Sequence, residues 1–344
     1  MSAAIRYNLV LQHKLTGEAW DISDLATSIT YETKLRGQNG RLTIKLRTAA
    51  SSSNILLDMG DIIYLDVNGT RIFWGFIFER TQNRLLEKSI VAHDQIRYLA
   101  QTRTSDVFSN VTTDQILRKT ADRFKLICGD MERGSYLHTD WIHDDAKILD
   151  IIDNSCAMNY KYSKDHQILV LYDDSGKLRL ATPPNIFPNW QQYVIGDGSL
   201  LTDYDYKQSI DSNTFNSILM EKSDPPAGTK SSVGSHYFQF LPPVESAENI
   251  KQWGMLQKVI KVTKQMSTQQ MAQEASTYLS AYNRPLDTLS IKSMGIPGVR
   301  AGCLLPINIS DLDGMTFLPM LMDSVTHTLT QNDHQMSLEM RLVL

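Results

Sequence analysis

The stretch that decides the fold is Gly60–Tyr98, GDIIYLDVNGTRIFWGFIFERTQNRLLEKSIVAHDQIRY. Within it, Ile62–Val67 is apolar and β-branched, Asn68-Gly69 follows, and Thr70–Phe78 is apolar again. Asn-Gly is a strong hairpin signal, because a type I′ turn needs positive φ at both central residues and these two residue types tolerate it. The stretch therefore predicts a β-hairpin and a third strand, and its spacing becomes helical from Asp94 onward.

Strand-like patterns continue on both sides of this hairpin. Leu42, Ile44 and Leu46 alternate with polar residues, which is the period of a half-buried strand. The same reasoning predicts strands over residues 5–11, 29–34, 41–47, 85–92, 168–172, 177–181, 214–222, 286–292, 303–309, 317–328 and 335–343.

Two capping boxes predict helices that interrupt the strands. Thr112-x-x-Gln115 and Ser267-x-x-Gln270 each place a hydroxyl and an amide where they can bond the free amide groups of a helix N-terminus. A short helix is also predicted over Asp94–Gln101, and another after residue 145, with Asp144 or Asp145 as its cap.

An order of elements recurs along the chain. In both copies a strand leads to a glycine, a hairpin, a Thr-Gln-Asn triplet and a closing strand. The two sets are Gly60, Asn68-Gly69 and Thr81-Gln82-Asn83, then Gly302, Asp313-Gly314 and Thr330-Gln331-Asn332. This echo predicts two similar small β-barrels separated by an α/β insertion, and a chance match of turn chemistry is the alternative.

Proline and loop composition suggest where the domains divide. Pro183, Pro184 and Pro188 mark a boundary, because proline removes a backbone donor and stops ladders and helices. Residues 223–235 are rich in Pro, Gly and Ser, which is typical of an exposed loop. We predict an α+β, mainly β fold with domains at residues 1–95, 96–182 and 183–344, the last carrying a helix and the loop at 223–235.

Composition excludes several classes of protein. The 344 residues include 34 Lys and Arg against 38 Asp and Glu, a net charge of −4, so there is no basic excess for stable binding to nucleic acid. No apolar run approaches the roughly 20 residues needed to span a bilayer. The N-terminus does not resemble a signal peptide. Cys128, Cys156 and Cys303 are far apart and odd in number, which favours reduced thiols in a cytosol.

The sequence offers no arrangement of residues that performs catalysis. His138 and His143 are five residues apart, a spacing that fits neither HExxH nor a zinc finger, so a structural role is expected. Asp311-x-Asp313-Gly314 lacks the Gly and Glu positions of an EF-hand loop. We therefore predict no catalytic, cofactor-binding or metal-binding residues and no enzymatic activity.

Several blocks of the sequence, taken in order, resemble a known family, the baseplate hub proteins of contractile phage tails and phage-tail-like bacteriocins, of the PBSX prophage type. The blocks lie at 60–61, 75–77, 92–99, 171–178, 204–216, 253–257 and 282–285. Their motif residues, with the hairpin turn, are Gly60, Asp61, Asn68, Gly69, Gly75, Asp94, Arg97, Tyr98, Asp173, Gly176, Tyr204, Asp211, Asn216, Trp253, Gly254, Leu256, Gln257, Asn283 and Pro285. His93 departs from the family, which more often has an aromatic residue there.

The resemblance implies the fold of the T4-type central hub, in which the two barrels are tube-like domains. Such hubs are homotrimers that form a pseudo-sixfold ring, join the sixfold tail tube to the threefold central spike, and initiate tube assembly. It implies a structural protein of a virion or tail-like particle, assembled in the bacterial cytoplasm, with the tail tube, spike, baseplate wedge and tape-measure proteins as partners. No cofactor and no membrane binding are implied. As a hypothesis, the mild acidity suits a channel through which DNA slides without sticking.

Two other functional classes are weighed against the hub. A tail-associated peptidoglycan hydrolase on a hub-like scaffold would need a further domain, and two barrels with an insertion leave little length for one. A carbohydrate-binding β protein would cluster its exposed aromatic residues, whereas the tryptophans here are dispersed.

Overall fold

The computed structural model of the chain describes residues 5–47, 58–84, 87–211, 213–223, 238–262, 266–312 and 317–342. The chain divides into two compact units, residues 1–205 with 289–344 and residues 206–288. The predicted third domain, 183–344, therefore combines the whole of the second unit with residues 183–205 and 289–344 of the first unit. Strands predominate over helices, which confirms the α+β, mainly β fold class.

The N-terminal part of the first unit is almost entirely strand. Its elements are β1 (Tyr7–Gln12), β2 (Ala19–Asp21), a short 3-10 helix (Ser23–Leu25), β3 (Ala26–Lys34), β4 (Arg41–Leu46), β5 (Ile62–Val67), β6 (Thr70–Gln82) and β7 (Lys88–His93).

Helices begin directly after β7, as the change of spacing at Asp94 predicts. The inserted segment consists of α1 (Ile96–Gln101), β8 (Arg103–Phe108), α2 (Thr113–Phe124), β9 (Cys128–Met131), β10 (Trp141–Lys147), α3 (Ile148–Tyr162), β11 (Val170–Asp173), β12 (Leu178–Ala181) and α4 (Pro183–Ile186).

The remainder of the chain returns to strands. It consists of a 3-10 helix (Trp190–Gln192), β13 (Ile195–Gly196), β14 (Leu201–Ser209), β15 (Ser217–Ser223), β16 (Phe238–Phe240), β17 (Val244–Glu245), α5 (Ala247–Trp253), β18 (Gln257–Val262), α6 (Thr268–Tyr282), β19 (Leu286–Met294), β20 (Leu304–Asn308), β21 (Leu318–Leu329) and β22 (His334–Leu342).

The predicted hairpin is confirmed. β5 and β6 pair antiparallel around Asn68 and Gly69, whose φ angles are 49° and 82°. The Oδ1 atom of Asn68 also accepts a hydrogen bond from the amide of Arg6, 3.1 Å away, so the turn holds the start of β1.

The capping predictions are right at two helices and wrong at one. Both capping boxes form, at Thr112 and at Ser267. Neither Asp144 nor Asp145 caps α3, because both lie in β10 and the N-cap is Lys147. Arg103 donates a hydrogen bond to the Asp145 carboxylate across the β8–β10 pair, so this acidic pair belongs to a strand irregularity.

The order of elements that recurs in the sequence corresponds to a repeated pattern of strand pairing in the structure. In the first repeat, β4 pairs with β7, β7 with β6, and β6 with β5. In the second repeat, β19 pairs with β22, β22 with β21, and β21 with β20. All of these pairs are antiparallel, so four strands in the same order have the same connections in both repeats.

Local geometry also repeats. Gly60 and Gly302 have φ angles of 88° and 89°, and each amide donates a hydrogen bond of 2.8 Å, to the carbonyl oxygens of Ile77 and Met322. The register then shifts directly after Ile77 and directly after Met322. These matches align residue 77 with residue 322. By this alignment the two Thr-Gln-Asn triplets are not equivalent, because Thr330 follows β21 whereas Thr81 lies within β6.

The two repeats belong to one sheet of 13 strands, with the order β14-β19-β22-β21-β3-β4-β7-β6-β5-β1-β2. Off this path, β20 pairs with β21, and β13 pairs with β20. β3 and β21 join the repeats. Each repeat has its own apolar core, one around Leu42, Ile44 and Leu65 and the other around Ile291, Leu305 and Leu338. The sheet therefore covers two separate cores.

The second unit has a small sheet of its own. β15 pairs with β16 and β17 along one edge and parallel with β18 along the other. α6 supplies Met271 and Ala275 to a core that also contains Ile218 and Met220. The predicted Asp313-Gly314 turn lies outside the described residues, as does all of the predicted loop at 223–235 except its first residue.

Candidate functional site: a buried polar junction and a loop clamp

Three of the predicted motif residues meet in a buried polar junction of the first unit. We define this junction by Asp94, Gln95, Asp173, Gly176 and Arg300. Asp94 and Gln95 end the first repeat, Asp173 and Gly176 form the β11–β12 turn of the insertion, and Arg300 precedes β20 of the second repeat. The junction thus joins three parts of the unit.

Asp94 anchors the start of the insertion. Its carboxylate accepts hydrogen bonds from the amides of Gly40, at 2.8 Å, and Ile96, at 3.1 Å. Only 2% of the residue is exposed. Burial, and then the charge of the nearby Asp173, raise the pKa of this carboxyl well above its usual range.

Asp173 holds the insertion hairpin in the same pocket. Its Oδ1 atom accepts a hydrogen bond from the amide of Gly176 at 2.7 Å, which is the local bonding expected of Asp in a turn. The side chain of Gln95 donates to Asp173 Oδ2, at 3.3 Å, and to the carbonyl of Gly176, and accepts from the amide of Ile127 at 2.9 Å. Burial raises the pKa of the Asp173 carboxyl.

Arg300 brings the second repeat into the junction. Its guanidinium donates to the carbonyl of Asp173 and lies 4.9 Å from the ring centre of Tyr172. The next amide, of Ala301, donates to the hydroxyl of Thr33 at 2.9 Å. A buried positive charge close to two buried carboxyls offsets part of their desolvation cost.

A second set of motif residues forms a loop clamp in the second unit, which we define by Asn216, Gly254 and Leu256. Asn216 is fully buried. Its Nδ2 atom donates to the carbonyl of Gly254 and its Oδ1 atom accepts from the amide of Leu256, both at 2.7 Å. Its backbone carbonyl accepts from the amide of Ser246 at 2.9 Å. One side chain therefore fixes the loop between α5 and β18.

The remaining motif residues have separate roles. Tyr98 packs against the rings of Phe76 and Phe78 at 5.6 Å. Asp61 is buried and accepts hydrogen bonds from the amides of Lys14 and Asp58. A Cβ on Gly75 would lie 2.3 Å from the carbonyl oxygen of His93, so the close approach of β6 to β7 requires glycine.

Several motif residues stand outside both clusters. Asn283 accepts a hydrogen bond from Asn249 of α5, 2.8 Å away. Tyr204 packs against the core of the second repeat, and Asp211 and Gln257 are exposed. Arg97 lies on α1, Trp253 is the last residue of α5, and Pro285 directly precedes β19.

His138, one of the two histidines weighed as metal ligands, is buried beside a hydroxyl group. His138 is 1% exposed, and its Nε2 atom lies 2.7 Å from the hydroxyl of Ser155 on α3. Burial lowers its pKa to about 4. Among the described residues, no group of three or more His, Cys, Asp or Glu side chains could hold a metal ion. The three cysteines are free, and burial raises the pKa of Cys156 and Cys303 to about 12.

A buried histidine pair supports the loop that carries Arg300. His327 Nδ1 and His334 Nε2 are 2.9 Å apart, and His327 Nε2 donates to the carbonyl of Val299 at 2.7 Å. This geometry leaves room for one hydrogen between the two facing nitrogens, so the two rings cannot both be protonated at once. Burial, and for His327 also the neighbouring His334, lower both pKa values to about 4.

The histidine pair predicts loss of stability in mild acid. Because both folded pKa values lie below the usual 6.5, the unfolded chain binds more protons between about pH 6.5 and pH 4. The stability is therefore complete above pH 6.5 and falls with pH through this window, by up to roughly 3 kcal/mol for each histidine. We expect His334→Gln to flatten the pH dependence of the urea midpoint. The exposed His166→Gln is the control, and an unchanged slope in His334→Gln contradicts the prediction.

Sequence reasoning missed some residues of these clusters. Gln95 lies within the motif block at 92–99 but is absent from the predicted motif residues. Arg300 and the two histidines of the pair carry no local signal, because their partners lie more than 100 residues away or in a different strand.

Among the described residues, no helix is both long enough and apolar enough to cross a bilayer.

Comparisons with known proteins agree with this architecture. The YQBQ-like family model matches residues 29–341. The phage-like element PBSX protein XkdQ of Bacillus subtilis (strain 168) is 25% identical over 282 residues, covering 81% of this chain and 81% of the relative. The 43 kDa tail protein of prophage MuSo2 from Shewanella oneidensis aligns with a TM-score of 0.68 and 12% identity, over 97% of this chain and 98% of that one.

A secretion-system protein shares the fold as well. The E. coli c3393 protein, a type VI secretion component described as similar to the T4 tail proteins gp27 and gp5, aligns with a TM-score of 0.51 and 9% identity, over 93% of this chain and 74% of that one. The fold of the chain is therefore one that phage tail proteins share.

Proposed function

Since the chain belongs to the YQBQ-like family, we propose that it is the baseplate hub of a contractile tail, either of a phage or of a phage-tail-like bacteriocin. In this role it is a homotrimer that adapts the sixfold tail tube to the threefold central spike and initiates the tube. Its partners are the tube, spike, wedge and tape-measure proteins. It resides in the virion or tail-like particle after assembly in the bacterial cytoplasm.

The repeated strand pairing is the observation that supports this proposal most strongly. Two repeats of the same four-strand pattern lie in one sheet, so three copies of the chain would offer six similar units to a sixfold tube. We propose that the repeats form the cores of two tube-like barrel domains, residues 1–95 and 183–344, with 96–182 as the insertion. Residues 206–288 are then an elaboration of the second domain.

The motif residues are suited to a structural role, in which they hold segments of the chain in place. The polar junction fixes the insertion against both repeats, and the loop clamp fixes the turn between α5 and β18. We propose that the motif residues maintain geometry and contact no substrate. The alternative, a peptidoglycan hydrolase, has no supporting observation in the described part of the chain, because Asp94 and Asp173 are buried and accept hydrogen bonds from backbone amides.

The test is the stoichiometry and position of the protein in a tail particle. We expect cryo-EM of purified particles to place three copies between the tube and the spike, and mass photometry of the isolated chain to detect a trimer. A chain that remains monomeric and never joins a tail contradicts the hub proposal.

A further inference from the structure

A cleft lies against the large sheet of the first unit, on the face turned away from the apolar cores. Side chains that alternate with buried ones form its floor, such as Glu32 and Lys34 of β3, whose neighbours Tyr31 and Thr33 are buried. α1, the start of β8 and the junction of β10 with α3 form its wall. The cleft has a volume of about 860 Å³, which is within the range of roughly 300–1,000 Å³ that is usual for ligand sites.

Basic side chains outnumber acidic ones in this cleft, although the whole chain has a net charge of −4. The basic residues are Lys34, Arg41, Arg97, Arg103 and Lys147, and the acidic residues are Glu32, Glu79 and Asp150. The cleft is therefore a local region of positive charge on a chain of opposite net charge.

Carboxylates already neutralise two of these cations. Arg41 lies 3.9 Å from Glu32, its cross-strand neighbour in the β3–β4 pair, and Arg103 lies 2.7 Å from Asp145. The other three cations form no ion pair with any residue that the structure describes. They are the charges that remain available to a ligand.

Arg97 is the most constrained of the three available cations. Its Nε atom is buried and has no hydrogen-bond partner among the described residues, and its guanidinium lies 6.0 Å from the ring centre of Phe78. Lys34 on the floor and Lys147 on the wall are exposed. A carboxylate in the cleft would give the guanidinium a charge-assisted hydrogen bond, which is the stronger class of hydrogen bond.

We propose that this cleft binds an acidic polypeptide segment of a partner protein, whose carboxylates contact Arg97, Lys34 and Lys147. The acidic residues of the cleft favour a polypeptide over a nucleic acid. Glu79 and Asp150 can accept hydrogen bonds from the backbone amides of a peptide, whereas a phosphate backbone carries a negative charge at every step and offers no amide donor. The site belongs to a single copy of the chain, so this inference does not depend on the hub proposal.

Binding of a fluorescently labelled hexaglutamate peptide to the full-length chain tests the proposal. Fluorescence anisotropy is measured at low salt, where screening of charges is weak. The comparison probes are a hexaglutamine peptide and a hexanucleotide of single-stranded DNA. We expect hexaglutamate to bind more tightly than either of them.

Substitutions in the cleft locate the binding. Arg97→Gln and Lys34→Gln should each weaken binding of hexaglutamate roughly threefold to tenfold, because each removes one charge that contacts the peptide. Lys164→Gln is the matched control, since Lys164 is exposed in the same unit and does not line the cleft. Carbodiimide coupling of the bound peptide, followed by mass spectrometry, should join its carboxylates to Lys34 and Lys147 and leave Lys164 unmodified.

Three results overturn the inference. In the first, hexaglutamate binds no better than hexaglutamine. In the second, Lys164→Gln weakens binding as much as Lys34→Gln, so that only the net charge of the chain matters. In the third, the hexanucleotide binds more tightly than hexaglutamate, which identifies a nucleic-acid site instead. Because Lys34 is exposed, its substitution tests the site even if Arg97→Gln does not fold, and none of these results bears on the stoichiometry that tests the hub proposal.

Discussion

Replacing Gly176 with alanine is expected to destabilise the first unit by roughly 2–6 kcal/mol. Two independent effects add. Gly176 has a φ of 86°, which costs a residue with a Cβ about 1–3 kcal/mol. The added Cβ would also lie 2.6 Å from Cε3 of Trp74, and overpacking of this kind costs about 1–3 kcal/mol. The measurement is urea denaturation followed by circular dichroism.

Gly198→Ala is the matched control for this substitution. Gly198 has a similar φ of 72°, but nothing lies within 4 Å of the position of an added Cβ. It should therefore show the backbone cost alone. If Gly176→Ala is no more destabilising than Gly198→Ala, the contact between the insertion hairpin and β6 is not tight, and the junction does not fix the insertion.

Replacing Asn216 with alanine is expected to release the loop between α5 and β18. The substitution leaves the amide of Leu256 and the carbonyl of Gly254 without their partner. Both hydrogen bonds are only partly buried, so water can reach the groups that lose their partner, and at about 0.5–1.5 kcal/mol for each bond we expect a loss of roughly 1–3 kcal/mol. Hydrogen exchange should show the Leu256 amide losing protection by at least tenfold, because 1.4 kcal/mol corresponds to a factor of ten.

Asn249→Ala is the control for the loop clamp. Asn249 is only partly buried, and its side chain bonds Asn283 near the end of α6 instead of the clamped loop. Its loss should leave the Leu256 amide protected. Amides of β21 and β22 should be unaffected in both variants, since they belong to the other compact unit. Equal exchange at Leu256 in both variants contradicts the role assigned to Asn216.

Local signals in the sequence predicted local structure well. The Asn68-Gly69 hairpin and both capping boxes formed as expected, because turn and cap geometry depends on residues within a few positions of each other. The Asp144–Asp145 prediction failed for the complementary reason. Cross-strand pairing with β8, in which Arg103 bonds Asp145 across 42 residues of sequence, overrode the local preference of Asp for a helix cap.

The sequence alone determined the mainly β class, the change from strands to helices after Asp94 and the repeated order of elements, because periodicity and turn chemistry depend on neighbouring residues. Only the tertiary structure decided that the repeats share strand pairing, that β3 joins them, and that Asp94, Asp173 and Arg300 meet. These contacts link residues 79 to nearly 300 positions apart. Burial of charge and the sharing of strand edges depend on which distant segments become neighbours, and no local pattern encodes that choice.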